Sequence, residues 1–337
     1  MKVPHKNRIR TRHTLDQSRI DHKMITVIAG GTGSAKLVRA IAKKVRKLNV
    51  ISNVADNIWL FGLYICPDID TMIYALSGYL DLERGWGMKQ DSFNFLEQLK
   101  SLGYEAWFKI GDKDLATHVI RTKMMREGYS LSSFTEWLRM RYNLSAKIIP
   151  FTNDHVETRV TTEKGEMHIQ EFWVKNSGML EVKDIKFQGL DTSIVNQEAI
   201  HAIDNSETIV IAPGNPISSI GPIISHKSIR AELIQNRDRV LAVSPIIRTH
   251  AISGPTAKYM NALGMEVSAV GIASLYSEFL GNFIVSSEED WVTTNQMKKL
   301  GINVHKTNIL MENEEDENSL ARFVLNVQKK QNDKDEH

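Results

Sequence analysis

The chain has 337 residues, of which 42% are hydrophobic and 24% charged, and its formal net charge is +2. This composition predicts a soluble globular protein of one large domain or two closely packed ones, and no apolar run approaches the ~18 residues of a membrane span. The single cysteine, Cys66, excludes an intramolecular disulfide and a multi-cysteine zinc site, and it fits a cytoplasmic location.

The first 23 residues form a basic leader. They hold seven Lys and Arg residues against two acids, a charge of +5 that leaves −3 for residues 24–337. The leader lacks the apolar stretch of a secretory signal, so we expect a disordered arm or an upstream start extension without a catalytic role. Nucleic-acid binding through this arm is an alternative that would explain the arm alone, and we predict no nucleic-acid partner for the body.

The first elements after the leader are a predicted strand, turn and helix. Ile25–Ala29 is a short run rich in β-branched residues, Gly30-Gly31-Thr32-Gly33 follows it, and apolar residues recur with helical spacing over 35–45. A second short strand at 50–54 comes about 20 residues later, which is the spacing of a βαβ unit. We therefore predict the α/β class, with a Rossmann-like, mostly parallel sheet flanked by helices.

The middle of the chain, about 68–142, is predicted to be a helical insertion, with helical periodicity at 70–80, 91–102, 114–126 and 131–142. Extended segments at 156–162 and 167–174 around Lys164-Gly165 predict a β-hairpin subdomain within about 147–174. Strands at 208–212, 240–244 and 283–285 then alternate with helices at 197–204, 228–235 and 255–263. We place the main domain at 24–310, followed over 311–337 by an acidic stretch, a last short helix and a charged tail.

The glycine turn at 30–33 is the first functional signal. A glycine-rich turn between a buried strand and a helix leaves backbone N–H groups at the positive end of the helix, where a phosphate is favoured. The turn matches neither the dinucleotide fingerprint, because Lys36 stands where its last glycine would be, nor the Walker motif. A tight turn that serves only strand–helix packing is an equally good interpretation at this point.

Two groups of polar residues come next. Asn53 and Asp56 follow the second strand, at the sheet edge where open α/β sheets bind ligands. Asp68 and Asp70 precede a predicted helix, and one of them is expected to act simply as its N-cap. Carboxylates beside a phosphate-binding turn suit Mg²⁺, because this ion prefers hard oxygen ligands and bridges to phosphates.

Three further segments carry groups that could bind a ligand. Residues 107–118 combine aromatic, cationic, acidic and imidazole side chains around a turn, as in a lip for a flat, hydroxylated ligand. Taken singly, Asp112 or Asp114 is expected to be a helix cap and His118 an ordinary helix residue. The loops at 211–222 and 244–247 end buried strands, where main-chain groups commonly hold a base or a phosphate, although turn chemistry alone also explains their Pro and Gly residues.

Eight segments, taken together, are more specific than any one turn. They are GGTGSAKL at 30–37, the Asn53/Asp56 group, CPDIDT at 66–71, RGWG at 84–87, WFKIGDKDLATHVIRT at 107–122, APGNPISSIGPII at 212–224, AVSPII at 242–247 and SGPTAK at 253–258. In this order they resemble the 2-phospho-L-lactate transferase family of coenzyme F-420 biosynthesis. The resemblance covers roughly residues 24–310.

The resemblance implies an activity and a set of roles. The enzyme would transfer a phospholactyl or phosphoenolpyruvyl group from a guanosine diphosphate conjugate to the ribityl hydroxyl of the deazaflavin Fo, releasing GMP with the help of Mg²⁺, as a homodimer. Asp56 and Asp70 would be catalytic and Asp56 and Asp68 would hold Mg²⁺, but Asp70 as a metal ligand or proton acceptor stays an open alternative. The deazaflavin would contact Asp70, Lys109, Asp112 and His118. The nucleotide and its phosphates would contact Gly30, Gly31, Thr32, Gly33, Lys36, Asn53, Asn215, Ser218, Ser244 and Arg248.

Three positions depart from the family's pattern. Asn57 stands where a second acid is common, Ala212-Pro213-Gly214 replaces the usual Gly-Pro-Ser, and Arg248-Thr249-His250 replaces a glycine. The missing acid puts a metal ligand in question, and Arg248 adds a cation that could meet a phosphate or the donor's carboxylate. A non-catalytic nucleotide- or deazaflavin-binding regulator with the same fold is therefore kept as the alternative function.

Overall fold

The computed structural model describes residues 24–252 and 254–335. The predictions for the leader, and for Ser253 of the SGPTAK segment, lie outside the described residues. The strands are β1 (Ile25–Ala29), β2 (Leu48–Ser52), β3 (Ile58–Leu60), β4 (Leu63–Ile65), β5 (Lys147–Pro150), β6 (Glu157–Thr162), β7 (Gly165–His168), β8 (Val182–Gln188), β9 (Thr208–Ile211), β10 (Val240–Val243), β11 (Ile246–Ile247), β12 (His250–Ala251), β13 (Asn282–Ser286) and β14 (Asn303–Thr307).

The α-helices of the described residues follow in the same chain order. They are α1 (Gly31–Ala42), α2 (Pro67–Ser77), α3 (Asn94–Ser101), α4 (Asp112–Arg126), α5 (Leu131–Arg141), α6 (Gln197–Asp204), α7 (Gly221–Ser225), α8 (Lys227–Gln235), α9 (Thr256–Ala262), α10 (Ala269–Tyr276), α11 (Trp291–Lys299) and α12 (Glu314–Asp335). None of these helices is both long and apolar enough to pass through a membrane.

The main sheet has the strand order β14-β13-β10-β9-β1-β2-β5, and every pair in it is parallel. From β1 the chain proceeds outward to β2 and β5 on one side and later to β9, β10 and β13 on the other. The order therefore reverses between β1 and β9, and ligands of open α/β sheets bind in the crevice at the carboxyl ends of such strands. The predicted fold class, a Rossmann-like parallel sheet flanked by helices with an antiparallel hairpin, is confirmed.

The central strands form around short apolar runs that are rich in β-branched residues. Every residue of β1, β2, β9, β10 and β13 is buried, as expected for strands covered by helices on both faces of a sheet. The edge strand β14, with the sequence NVHKT, is instead partly exposed and polar, and no strand was predicted there. Helices α10 and α11 and the β3–β4 hairpin were not predicted either.

The predicted hairpin at 156–174 is correct in its first half and wrong in its second. Strands β6 and β7 pair antiparallel as expected, and β8 joins β6 on its other side. The second strand ends at His168, however, and the chain turns into a π-helical segment at Glu171–Lys175. Ile169 and Phe172 are both buried and lie three residues apart, so a helical turn buries both, whereas a strand would place them on opposite faces.

The acidic stretch near the C-terminus is part of a helix and does not precede it. Helix α12 carries Glu314, Glu315, Asp316 and Glu317 in its first turn, where the helix dipole favours negative charge. Glu317 is almost fully buried and pairs with Arg39 of α1 at 2.7 Å. Helix α12 therefore packs along α1, the helix that begins at the glycine turn.

Candidate active site

The glycine turn at the end of β1 is shaped by close contact with α2 and with the loop after β9. A Cβ atom on Gly30 would lie 2.8 Å from Asp68 Oδ2 and 2.9 Å from the Ser219 carbonyl oxygen, so no larger residue fits there. Gly31 has a left-handed backbone, with φ +72°, and its N–H group donates to Asp68 Oδ1 at 2.9 Å. The turn thus brings a carboxylate to the start of α1.

Asn53 fixes that carboxylate at the end of β2. Its Nδ2 group donates to Asp68 Oδ2 at 3.0 Å and to the Ser218 carbonyl oxygen at 3.3 Å, and its Oδ1 accepts from the N–H group of Ala55 at 2.9 Å. Asn53 is fully buried. The Asn53 side chain therefore connects the end of β2, the first turn of α2 and the loop after β9. It holds Asp68 in position beside the glycine turn.

Asp56 and Asp68 form a pair of carboxylates beside the glycine turn. Asp56 accepts a hydrogen bond from Thr158 Oγ1 at 3.3 Å and lies close enough to Asp68 for the two charges to interact. Burial, and next the charge of Asp68, raise the pKa of Asp56 well above its usual value, and burial raises the pKa of Asp68 to about 6. Two carboxylates that disfavour each other's charge are a donor set that a divalent cation would stabilise.

A second acidic cluster lies between α2 and α4. Asp70, Asp114 and His118 each present a ligand atom, and these atoms lie within 4.8 Å of one another, so the triad could hold a metal ion by spacing alone. Arg121 is also buried there and forms an ion pair with Asp70. Burial raises the pKa of Asp70, although Arg121 and His118 oppose this effect. Burial would raise the pKa of Asp114 as well, but His118 holds that pKa below its usual value.

The contacts of Arg121 decide how this triad behaves. Its Nη1 group lies 3.1 Å from the Tyr64 carbonyl oxygen and 3.2 Å from His118 Nδ1. A guanidinium can only donate, so Nδ1 accepts, and the proton of a neutral imidazole sits on Nε2, 3.4 Å from Asp114 Oδ2. Nδ1 is therefore engaged and a cation is already present, whereas His118 Nε2 and Asp70 Oδ2 are buried without a hydrogen-bond partner among the described residues. The triad could thus use His118 as a metal ligand only if Arg121 moved away from Nδ1.

The residues predicted to contact the deazaflavin differ in their exposure and in their hydrogen-bond partners. Lys109 is exposed, whereas Asp70 and His118 are buried in the cluster with Arg121. Asp112 accepts hydrogen bonds from the N–H groups of Asn94 and Phe95, both at 3.0 Å, and from Ser92 Oγ at 2.7 Å. The bond from Phe95, with those from its neighbours, lowers the pKa of Asp112 to about 2. Asp112 thus caps the start of α3, and the four deazaflavin contacts stay predictions.

The first turn of α1 opens onto a large cleft of about 880 Å³. Thr32, Gly33 and Lys36 line one wall, and residues 82–85 line another. The first N–H groups of a helix have no partner within it, so Thr32 and Gly33 present donors at this edge. Lys36 is less free, because its Nζ group donates to the Met311 carbonyl oxygen at 2.7 Å.

The side chains of Asn215 and Ser244 shape their own loops. Asn215 Oδ1 accepts from the N–H groups of Ile217 at 3.0 Å and Ser218 at 3.1 Å, and Ser244 Oγ donates to the Ile246 carbonyl oxygen at 2.8 Å. These are the local bonds by which Asn and Ser stabilise turns. Both loops lie at the carboxyl ends of sheet strands, so contacts from these loops to a nucleotide would come through main-chain groups.

The two side chains that depart from the family pattern point to different places. Asn57 is buried, and its Nδ2 group donates to the Tyr64 hydroxyl at 3.2 Å. The main-chain carbonyl oxygen of Asn57 lies 3.1 Å from His168 Nε2. Arg248 stands at the turn of the β11–β12 hairpin, with its side chain 64% exposed and 3.4 Å from Glu288. Asn57 is therefore held by Tyr64 through Nδ2, with its Oδ1 atom buried and without a hydrogen-bond partner among the described residues, and Arg248 is a surface cation.

Two features of the site were not predicted from the sequence. Arg121 was not singled out, although Asp114, His118 and Arg121 stand at positions i, i+4 and i+7 of α4, a spacing that places all three on one helix face. Ser219 was not singled out either, and nothing local in the sequence indicates that its carbonyl lies against Gly30.

The comparisons with known proteins identify the family of the chain. The family model of the 2-phospho-L-lactate transferase CofD matches residues 25–321. A 2-phospho-L-lactate transferase of Methanosarcina acetivorans is 38% identical over 303 residues, covering 89% of this chain and 98% of the relative. The one from Methanocaldococcus jannaschii is 35% identical over 308 residues, covering 90% and 97%.

A solved structure supports the fold independently. A UPF0052 family protein from Bacillus halodurans superimposes with a TM-score of 0.63 and covers 90% of this chain and 99% of its own. Its sequence identity to this chain is 16%, so the likeness concerns the fold alone.

Proposed function

This chain belongs to the 2-phospho-L-lactate transferase CofD family, and we propose that it transfers a phospholactyl or phosphoenolpyruvyl group from a guanosine diphosphate conjugate to the ribityl hydroxyl of the deazaflavin Fo, releasing GMP. Family membership makes the chain a transferase and implies a role in the biosynthesis of coenzyme F-420. The observation that carries the finer proposal is the Asp56–Asp68 pair at the switch point of the sheet, directly beside the glycine turn.

In this proposal the diphosphate of the donor binds at the start of α1. Thr32 and Gly33 line the cleft there, and the positive end of the helix favours the phosphate charge. The loops after β9 and β10 border the same edge of the sheet and would surround the guanosine. Residues from three strand ends thus converge on one place.

Asp56 and Asp68 are the proposed ligands of Mg²⁺. When bound, this ion would neutralise phosphate charge that builds up during transfer. Asp68 is held on both oxygens by Gly31 and Asn53, so its position is fixed before any ligand enters. Asp56 is less enclosed, since its side chain accepts a hydrogen bond from Thr158 and the residue is only partly buried. Fixed and adaptable ligands of this kind suit an ion that also has to contact a substrate.

The reaction itself breaks a phosphoanhydride bond of the donor and forms a phosphate ester with the ribityl oxygen. The ribityl oxygen attacks the phosphorus that carries the lactyl or enolpyruvyl group, the bond from that phosphorus to the GMP oxygen breaks, and GMP leaves with that bridging oxygen. The ribityl hydroxyl proton has to be accepted, and Asp56 is the better placed of the two predicted catalytic acids because Asp70 is buried against Arg121. We propose that Asp70 holds α2 against α4 through Arg121, and that Asp56 accepts the proton of the ribityl hydroxyl.

The direct test is a reaction with defined substrates. The protein is incubated with Fo, Mg²⁺ and either the lactyl or the enolpyruvyl donor, and GMP and the phosphorylated deazaflavin are followed by chromatography and mass spectrometry. We expect product from at least one donor, loss of product in D56N and D68N, and no change in D191N, whose carboxylate is 91% exposed. Absence of product with both donors would overturn the transferase proposal, and tight binding of Fo without turnover would favour the regulator.

A further inference from the structure

The RGWG segment at 84–87 belongs to a closed loop that lines the cleft. We call residues 81–88 the Arg84 loop. Its base is closed by a bridge between Leu80 and Met88 and by the Asp81 N–H group, which donates to the Gly87 carbonyl oxygen at 3.1 Å. Gly85 and Gly87 have the left-handed backbones, φ +75° and +68°, that so tight a path requires.

Arg84 braces the inside of this loop. Its Nε group donates to Asp81 Oδ2 at 2.8 Å and its Nη2 group to the Met88 carbonyl oxygen at 2.9 Å. The guanidinium also lies over two rings, 5.2 Å from the centre of Trp86 and 5.1 Å from that of Phe93. An arginine makes a planar fork and stacks on rings, so one side chain joins both ends of the loop to the segment that leads into α3.

The braced loop packs against the glycine turn. A Cβ atom on Gly85 would lie 3.6 Å from Thr32 Cγ2 and 3.8 Å from Thr32 Cβ. Leu82, Glu83, Arg84 and Gly85 line the cleft together with Thr32 and Gly33 of α1. The Arg84 loop is therefore the wall that faces the N–H donors of the first turn of α1.

We propose that Arg84 is a positioning residue for the phosphate-bearing donor, because it holds the Arg84 loop against the start of α1 and so fixes the width of the cleft. This inference rests on the proposed function. A wall that is already in place when the ligand arrives saves the entropy of ordering a loop, so its loss weakens binding without removing any group that reacts. Lysine cannot replace Arg84, since a single ammonium group cannot make the fork and stack on two rings at once.

The first test compares R84A, R84K and R230A. Arg230 is a matched control, because it also pairs with a carboxylate, Glu278 at 2.9 Å, and lies 5.2 Å from the ring of Phe279, but it does not line the cleft. We expect R84A and R84K to weaken binding of guanosine diphosphate in calorimetry on the order of tenfold, and to raise KM for the donor while kcat stays within about twofold. We expect R230A to bind like the wild type. Equal nucleotide affinity in R84A and the wild type would overturn this inference and leave the transferase intact, whereas a wild type that binds no guanosine nucleotide would overturn both.

A second test separates holding the loop from touching the ligand. A Cβ atom on Gly85 would lie 3.8 Å from Thr32 Cβ, a separation that suits a disulfide, so T32C and G85C can be joined to lock the loop in place. The left-handed backbone of residue 85 strains any side chain there, so each oxidised variant is compared only with its own reduced form. Cys66 is buried and stays out of the reaction. In the triple variant R84A/T32C/G85C, the oxidised protein is expected to regain the affinity that the reduced form of the same protein lacks. If the oxidised and reduced forms of R84A/T32C/G85C bound equally weakly while oxidised T32C/G85C bound well, Arg84 would contact the ligand directly. The positioning role would then be wrong.

Discussion

Asp68 and Asp70 lie two residues apart in the first turn of α2, but they face opposite sides of the helix and belong to different electrostatic environments. Asp68 points to the glycine turn and shares its site with Asp56. Asp70 points to α4 and pairs with Arg121, a fully buried cation supplied by the protein. The comparison shows that an acid is a candidate ligand where the fold leaves its charge uncompensated, and a structural residue where the fold supplies the cation.

Removing the acids of the first environment is expected to have the largest effect. D56N and D68N keep the size of the side chain but remove the charge that would hold the cation, so we expect kcat to fall on the order of 10³-fold in each. Single-turnover formation of GMP measures this loss. The comparison would break if D70N lost as much activity while its fold and its affinity for the metal were unchanged.

Removing the cation of the second environment is expected to reduce stability by about 3–5 kcal/mol, because a buried carboxylate is left without a partner. R121M keeps much of the apolar packing against Phe134, whose ring lies 4.8 Å from the guanidinium, and so isolates the charge. The free energy of unfolding is measured in urea. The double variant D70N/R121M is expected to recover a large part of the loss, and the absence of any recovery would show that Asp70 is not the group that Arg121 compensates.

The sequence predicted the sheet better than it predicted these two environments. The strands β1, β9, β10 and β13 each contain an uninterrupted apolar run of three or four residues and could be located, whereas β14 is a polar edge strand with no such pattern. Asp68 could be singled out because the CPDIDT motif indicates a helix start, although the expected N-cap role of Asp68 or Asp70 is wrong, since α2 begins at Pro67 after Cys66 and both acids lie within its first turn. The partner of Asp70 could not, since Arg121 is 51 residues away and its approach is decided by how α4 packs on α2.

The two environments should also differ in how stability depends on pH, because the pKa values of Asp56 and Asp68 are both raised, whereas in the second environment the pKa of Asp70 is raised and that of Asp114 is lowered. Burial raises the pKa of Asp68 to about 6 from an ordinary value of 3.8, so the native state holds a proton that the unfolded chain has already released. Stability is then fully present below about pH 4 and falls as the pH rises to about 6, by about 3 kcal/mol at most. Unfolding in urea at pH 4.5 and 7 without a divalent cation measures the fall. D68N is expected to reduce it, and an equal slope in D68N would assign the effect to another group.

The smallest effect is expected when a residue of the second environment is replaced and the affinity for a divalent metal ion is measured. His118 uses Nδ1 to accept from Arg121 and directs Nε2 toward Asp114, so it has no lone pair left for a metal ion unless Arg121 moves. Mn²⁺, a paramagnetic substitute for Mg²⁺, can be titrated and its free fraction followed by electron paramagnetic resonance. We expect H118N to change the affinity by less than roughly twofold, because His118 lies outside the proposed ligand set, while D68N is expected to abolish binding at the same site. If H118N and D114N released the ion and D68N did not, the roles of the two acidic clusters would have to be exchanged. The cation would then bind between α2 and α4, and the Asp56–Asp68 pair would be a structural contact of the glycine turn.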